Sequence, residues 1–180
     1  MGAPGWVSTS LFQTEREIVI RKRGKKGFAA VFVIAVMLCP VPKAGAQMAD
    51  EEAVVRVVHD LFDGMRDKDT TKIRGVFAPG ATLGSAGRDS VQYSTAESFV
   101  VAIGRSTAHL DERVWDWEVR IDGNLAMLWT KYDILINGDF SHCGVDAFHL
   151  HKSTVGWRIF HLADSRRRDP GCWRYPGSES

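Results

Sequence analysis

What this 180-residue chain lacks narrows its reading first. No apolar run reaches the roughly 18 to 20 residues that cross a bilayer; the longest, from about Gly27 to Cys39, stops at Pro40 and Pro42. Neither sign of charge dominates, with 23 Lys and Arg against 22 Asp and Glu, so nothing marks a nucleic-acid binder. No internal repeat or low-complexity tract is present. No serine sits in a nucleophile elbow, and Gly84-Ser85-Ala86-Gly87 lacks the context of a nucleotide-phosphate loop. Cysteine is scarce, at three residues.

Residues 21–47, RKRGKKGFAAVFVIAVMLCPVPKAGAQ, combine a basic cluster, a short apolar stretch and the small residues Ala44-Gly45-Ala46. That is the layout of a secretory signal peptide, and it predicts cleavage near Ala46 and a periplasmic or secreted protein touching the membrane only through this segment. Residues 1–46 are therefore set apart from a domain over 47–168 and a tail over 169–180. The removed segment holds seven of the 23 basic residues and two of the 22 acids, so the remainder carries four more acids than bases. It also holds Cys39. Cys143 and Cys172 remain, and two thiols in an oxidising compartment are read as one bridge, with two separately buried thiols as the alternative.

From Asp50 the apolar period is helical: Val54, Val58, Leu61 and Met65 form a stripe widened by Val55 and Phe62, with Asp50 as the expected N-cap. A second helix is expected over 69–77, ended by Pro79-Gly80. A third begins at Ser94, where Ser94-Thr95-Ala96-Glu97 has the form of a capping box. After Leu110 the period becomes two. Trp115, Trp117, Val119 and Ile121 alternate with charged residues, Asp122-Gly123-Asn124 and Asn137-Gly138-Asp139 mark tight turns, and strands follow over 125–136, 141–152 and 157–165. Helices first and a meander after them give an α+β fold, with about three helices packed on a strongly curved antiparallel sheet around a cone. Such a hollow is the default ligand site.

The segments AVVRVVHDLFDGMRDKD, TTKIRGVFAPGATL, AMLWTKYDI and SHCGVDAFHLHKSTVGWRIFHLAD, spread over about residues 50–168, resemble the nuclear transport factor 2-like superfamily. That superfamily includes ketosteroid isomerases, polyketide cyclases and many small exported proteins. The resemblance implies that GVDAFHL corresponds to the isomerase strand bearing a protonated aspartate, which places Asp146 on that position. The other isomerase roles do not carry over. Gly84 and Ser85 stand where the base should be, and Leu61 where the helix tyrosine should be.

Alternation puts His142, Gly144, Asp146, Phe148 and Leu150 on one wall of their strand and Cys143, His149 and His151 on the other. If the Asp146 wall faces the hollow, Asp146 and His142 are the candidate acid–base residues. Tyr132, His161, Trp115, Trp117, Phe148 and Trp157 would then line the pocket. His149 and His151 could share a metal only with a third ligand from a neighbouring strand, and neither metal nor cofactor is expected. The sequence thus supports an exported binder of a small apolar molecule. The alternatives are an isomerase, dehydratase or cyclase using Asp146 and His142, and an accessory module that forms a homodimer through its sheet.

Overall fold

The computed structural model describes residues 43–177; of the leader segment, only Lys43 to Ala46 fall among them. The chain runs α1 (Lys43–Asp67), α2 (Thr70–Val76), β1 (Phe77–Ala86), β2 (Val91–Thr95), α3 (Ala96–Arg105), β3 (Leu110–Asp122), β4 (Leu125–Ile136), β5 (Asp139–Ser153) and β6 (Gly156–Arg167). The class is α+β. Among the described residues no helix is long and apolar enough to cross a membrane.

The apolar stripe of α1 is buried as its spacing requires, with Val54, Val58, Leu61, Phe62 and Met65 all in the core. Its start differs from expectation. The helix extends upstream to Lys43, so Asp50 is an interior residue, and its carboxylate instead grips the turn joining β5 to β6. Lys152 Nζ lies 2.5 Å from Asp50 Oδ1 and Trp157 Nε1 donates to the same oxygen at 3.3 Å. The second helix is shorter than the expected 69–77: Asp69 is its cap, accepting from the amides of Thr71 and Lys72, and Phe77 already belongs to β1. The cap of α3 is Thr95, which forms a capping box with Ser98. Ser94 is held in β2 opposite Leu83, and Glu97 pairs with Arg74 instead.

The sheet has six strands in the order β2-β1-β6-β5-β4-β3. The β3–β6 meander is antiparallel throughout, yet β1 runs parallel to β6, so the sheet is mixed and not purely antiparallel. The physical reason is the crossover. After β1 and β2 the chain passes through α3 and returns to the far edge of the sheet, so the last strand reaches β1 from the opposite end of the order.

On the inner face, cross-strand rows read Leu128–Phe148–Leu162, then Thr130–Asp146–Asp164, then Tyr132–Gly144–Arg166, then Ile134–His142. The hollow therefore grades from an apolar floor to a polar upper wall. Three bulges interrupt the register on the meander: between Trp115 and Glu118, between Ile134 and Leu135, and between His149 and Leu150. Bulges increase local twist and switch which face later residues occupy.

The outer face is strapped by the C-terminal tail. Cys172 is disulfide-bonded to Cys143, with Cα atoms 5.7 Å apart. Trp173 lies under the Arg167 guanidinium at 4.1 Å, and the Tyr175 amide donates to Asp133 Oδ2 at 2.9 Å. Asp133, fully buried, is also held by Arg113 through two hydrogen bonds of 2.8 and 2.6 Å. The bridge spans 29 residues. A Cys172→Ser substitution should therefore lower unfolding free energy by about 3 kcal/mol, read as a fall in urea midpoint, with a steeper slope as the unbridged unfolded chain exposes more surface.

Candidate functional site

Between the inner face and the helices lies a cavity of about 440 Å³. Its apolar wall comes from Leu61, Phe62 and Met65 of α1, Phe99 and Ile103 of α3, and Leu162 of β6. Its polar wall comes from the sheet: Glu112, Tyr132, His142, Asp146, Asp164 and Arg166, with Ser85, Gln92, Tyr93 and Ser94 on the β1–β2 side. Each polar residue is placed by strand parity. Glu112 precedes the β3 bulge and sits opposite Ile134, while Tyr132, His142, Asp146 and Arg166 follow the inward alternation of their strands.

The centre of the polar wall is a pair of carboxyls. Asp146 is 2 % exposed, and its Oδ2 has no hydrogen-bond partner within the protein. Glu112 meets it as a hydrogen-bonding neighbour, an arrangement two carboxyls can adopt only when one keeps its proton. Burial, then the charge of Glu112, then that of Asp164 hold the Asp146 carboxyl well above the usual carboxylate range. Burial, followed by the charge of Asp164, pushes Glu112 up to about 8. Arg166 offsets this only partly. Its Nε is bound to Asp164 Oδ2 at 2.6 Å, and its side chain is largely exposed.

Tyr132 packs over Gly144, and its phenol donates to the Ser165 carbonyl at 3.1 Å. A Cβ on Gly144 would strike that carbonyl oxygen and come within 2.6 Å of the Tyr132 ring, so the glycine is what lets the tyrosine lie flat. Burial raises the phenol's pKa, and the Asp146 charge raises it further. His142 stands edge-on to Tyr132, its Nδ1 2.9 Å from Ser141 Oγ. Burial and the Arg166 charge keep its imidazole neutral to lower pH than usual.

These features can be set beside known proteins. A family model described as "Putative lumazine-binding" matches residues 49–161. The chain belongs to that family. Among solved structures, an NTF2-like protein with a cystatin-like fold from Novosphingobium aromaticivorans superposes with a TM-score of 0.60 at 11 % identity, covering 74 % of this chain and 94 % of its own. A superfamily member from Salmonella enterica serovar Typhimurium gives 0.58 at 15 %, over 72 % and 99 %. A protein described as a putative dehydratase of the NTF2-like family from Streptomyces avermitilis gives 0.57 at 13 %, over 68 % and 99 %. At such identities the likeness is one of fold, and the fold is NTF2-like. No curated protein matches it.

Within this family's fold, the residues singled out by sequence are partly reunited. Asp146, His142 and Tyr132 line the one cavity. Asp146, however, is partnered by Glu112, with His142 hydrogen-bonded elsewhere. Phe148 and Trp157 are core residues at 0 % and 2 % exposure; Phe148 packs edge-on against Phe62 beneath the cavity. His161 lies on the outer face. Phe160 is the extra residue of the β6 bulge, so His161 pairs with His149 across the sheet and bonds to Thr82 Oγ1 at 2.8 Å.

The tryptophans are displaced by the same kind of event. Asp116 adopts φ 57° in the β3 bulge, which turns Trp115 outward against Tyr175 and leaves Trp117 44 % exposed beside His59 of α1. Trp117 instead lines a shallow surface groove of about 520 Å³ with Met48, Val55 and Arg56. This groove holds no buried polar group, whereas the cone does, which is why the cone is taken as the site. Ser85 and Leu61, standing where the isomerase base and tyrosine would be, both line the cone without supplying those functions. Among the described residues no group of three His, Cys, Asp or Glu could hold a metal ion.

Sequence alternation alone missed Glu112. The signal lay in Leu110-Glu112-Val114, an inward set preceding the paired apolar residues Val114-Trp115, which mark the approach to the bulge.

Carboxyls whose folded pKa is raised retain protons that the unfolded chain has lost, so they favour folding fully at low pH and progressively less as pH rises. The Glu112–Asp146 pair should make the protein lose stability between about pH 4.5 and about pH 8. Glu112→Gln should remove much of that slope, stabilising the fold at pH 8 by at least about 1 kcal/mol while changing little near pH 4.5. Urea unfolding at the two pH values reads the difference.

Proposed function

We propose that this protein is an exported binder of a small, largely apolar molecule, held in the cone with its polar end toward Glu112 and Asp146. The observation that carries the reading is the cavity itself: about 440 Å³, lined by apolar side chains of α1 and α3 on its helix side, with a buried carboxyl oxygen of Asp146 that has no hydrogen-bond partner. A buried polar atom without a partner costs stability, and such a cost is retained where a ligand uses the atom. The description of the family as lumazine-binding supports a small-molecule ligand. Export is supported by the leader-like residues 21–47 and by the disulfide, which suits an oxidising compartment.

A second reading is acid–base catalysis of the isomerase, dehydratase or cyclase kind. It now rests on Glu112 with Asp146, since two carboxyls with separated pKa values can pass a proton to and from a substrate. The exposed strip Leu125, Trp129 and Phe160 on the outer face supports pairing of two copies through the sheet. Sedimentation showing a monomer at high micromolar concentration would remove that part of the proposal.

The binding test uses protein recovered from outside the cytoplasm, where cleavage after Ala46 leaves Gln47 as the first residue. N-phenyl-1-naphthylamine should bind it saturably at one site per chain, with enhanced fluorescence. Leu162→Trp, which fills the cone, should abolish the signal, and Trp117→Ala should leave it intact. The reverse pattern would move the site to the groove beside α1.

A further inference from the structure

The chemistry lining the cone also constrains which polar end a ligand can carry. The charged groups of the wall are predominantly acidic. Glu112, Asp146 and Asp164 bring three carboxyls against one guanidinium, which bonds Asp164 through Nε and reaches solvent. The Tyr132 proton is committed to the Ser165 carbonyl. At the centre Glu112 and Asp146 present carboxyl oxygens, Asp146 Oδ2 among them without a hydrogen-bond partner, while Ser85, Gln92, Tyr93 and Ser94 line the β1–β2 side. A ligand carboxylate or phosphate would meet these carboxyls with like charge. A ligand nitrogen bearing hydrogens would satisfy them.

We infer, building on the binding reading, that the cone selects small amphiphilic cations: an apolar body against Phe62, Met65 and Leu162, and one protonated amine or amidinium set onto Glu112 and Asp146. Proton balance follows from the pair. The ligand keeps its N–H hydrogens and its charge, the hydrogen held between the two carboxyls leaves to solvent, and the site ends with two carboxylates facing one cation. The titratable groups bearing on this exchange are Glu112, Asp146, Asp164, Arg166, His142 and Tyr132 of β3–β6, Asp133 behind the sheet and Tyr93 of β2; the helices contribute only apolar side chains to the lining. Arg166 reaches solvent, so it can follow Asp164 without obstructing a cation at the inner pair.

Three probes of nearly the same shape separate this inference from simple apolar binding: 1-naphthylmethylamine, 1-naphthalenemethanol and 1-naphthoate, titrated calorimetrically into the intact exported protein at pH 7. The amine should bind about tenfold or more tighter than the alcohol, and naphthoate should bind weakest. Amine binding should release protons, seen as an enthalpy that changes with the ionisation enthalpy of the buffer. Glu112→Gln and Asp146→Asn should each bring amine and alcohol to within about threefold of each other.

Equal or tighter binding of the alcohol or the carboxylate to the wild-type protein would overturn the cation inference and leave the binding reading standing. Failure of all three probes, with N-phenyl-1-naphthylamine still bound, would also overturn it. Failure of all four would overturn the binding reading itself. The wild-type comparison needs no variant, so a substitution that impairs folding does not blunt the test.

Discussion

Two carboxyls, Asp146 fully buried and Glu112 half-buried, share a wall where low solvation disfavours charge on either, and the features of the site follow from that constraint. Glu112 on β3 and Asp146 on β5 are separated by the whole width of β4, and they meet because curvature brings the sheet's inner wall over α1 and α3. Burial is the dominant force on both carboxyls; the Asp164 charge adds to it on each, and the Glu112 charge adds to it on Asp146. A fold optimised only for stability would fill this space with side chains like Phe148 and Leu162, which occupy the rows below. The polar pair is therefore a stability cost concentrated at the cavity.

The rest of the architecture keeps that wall in place. Asp50 ties α1 to the β5–β6 turn at the apolar end, and the disulfide with its tail holds the outer face behind Gly144 and Asp146 at the other. Asp133, immediately behind the Tyr132 position on β4, is fully buried but paired with Arg113 and the Tyr175 amide. The contrast with Asp146 is instructive. Two aspartates, equally hidden on opposite faces of one sheet, differ in whether the protein itself satisfies them, and only the unsatisfied one borders a cavity.

The meander and the inward placement of Asp146 and His142 were legible from two-residue alternation, since β5 keeps an unbroken inward set from His142 to Leu150. The apolar stripe of α1 was equally plain. Alternation failed where a bulge intervened: Phe160 sends His161 to the outer face, and Asp116 does the same to Trp115. In each case two large apolar residues stand side by side, Ile159-Phe160 and Val114-Trp115, a pattern a regular half-buried strand does not need. The parallel contact of β1 with β6 and the Glu112–Asp146 meeting are long-range consequences of the crossover and of sheet curvature. Local periodicity carries no record of either.

The claim on which the account turns is that Glu112 and Asp146 share a proton near neutral pH. The direct measurement is an NMR titration of their side-chain carboxyl carbons in the ligand-free protein, assigned through Glu112→Gln and Asp146→Asn. The account predicts that both signals titrate far above ordinary carboxylates and in step with each other, with Glu112 changing near pH 8. Two independent transitions near pH 4 would show two solvated carboxylates and contradict it.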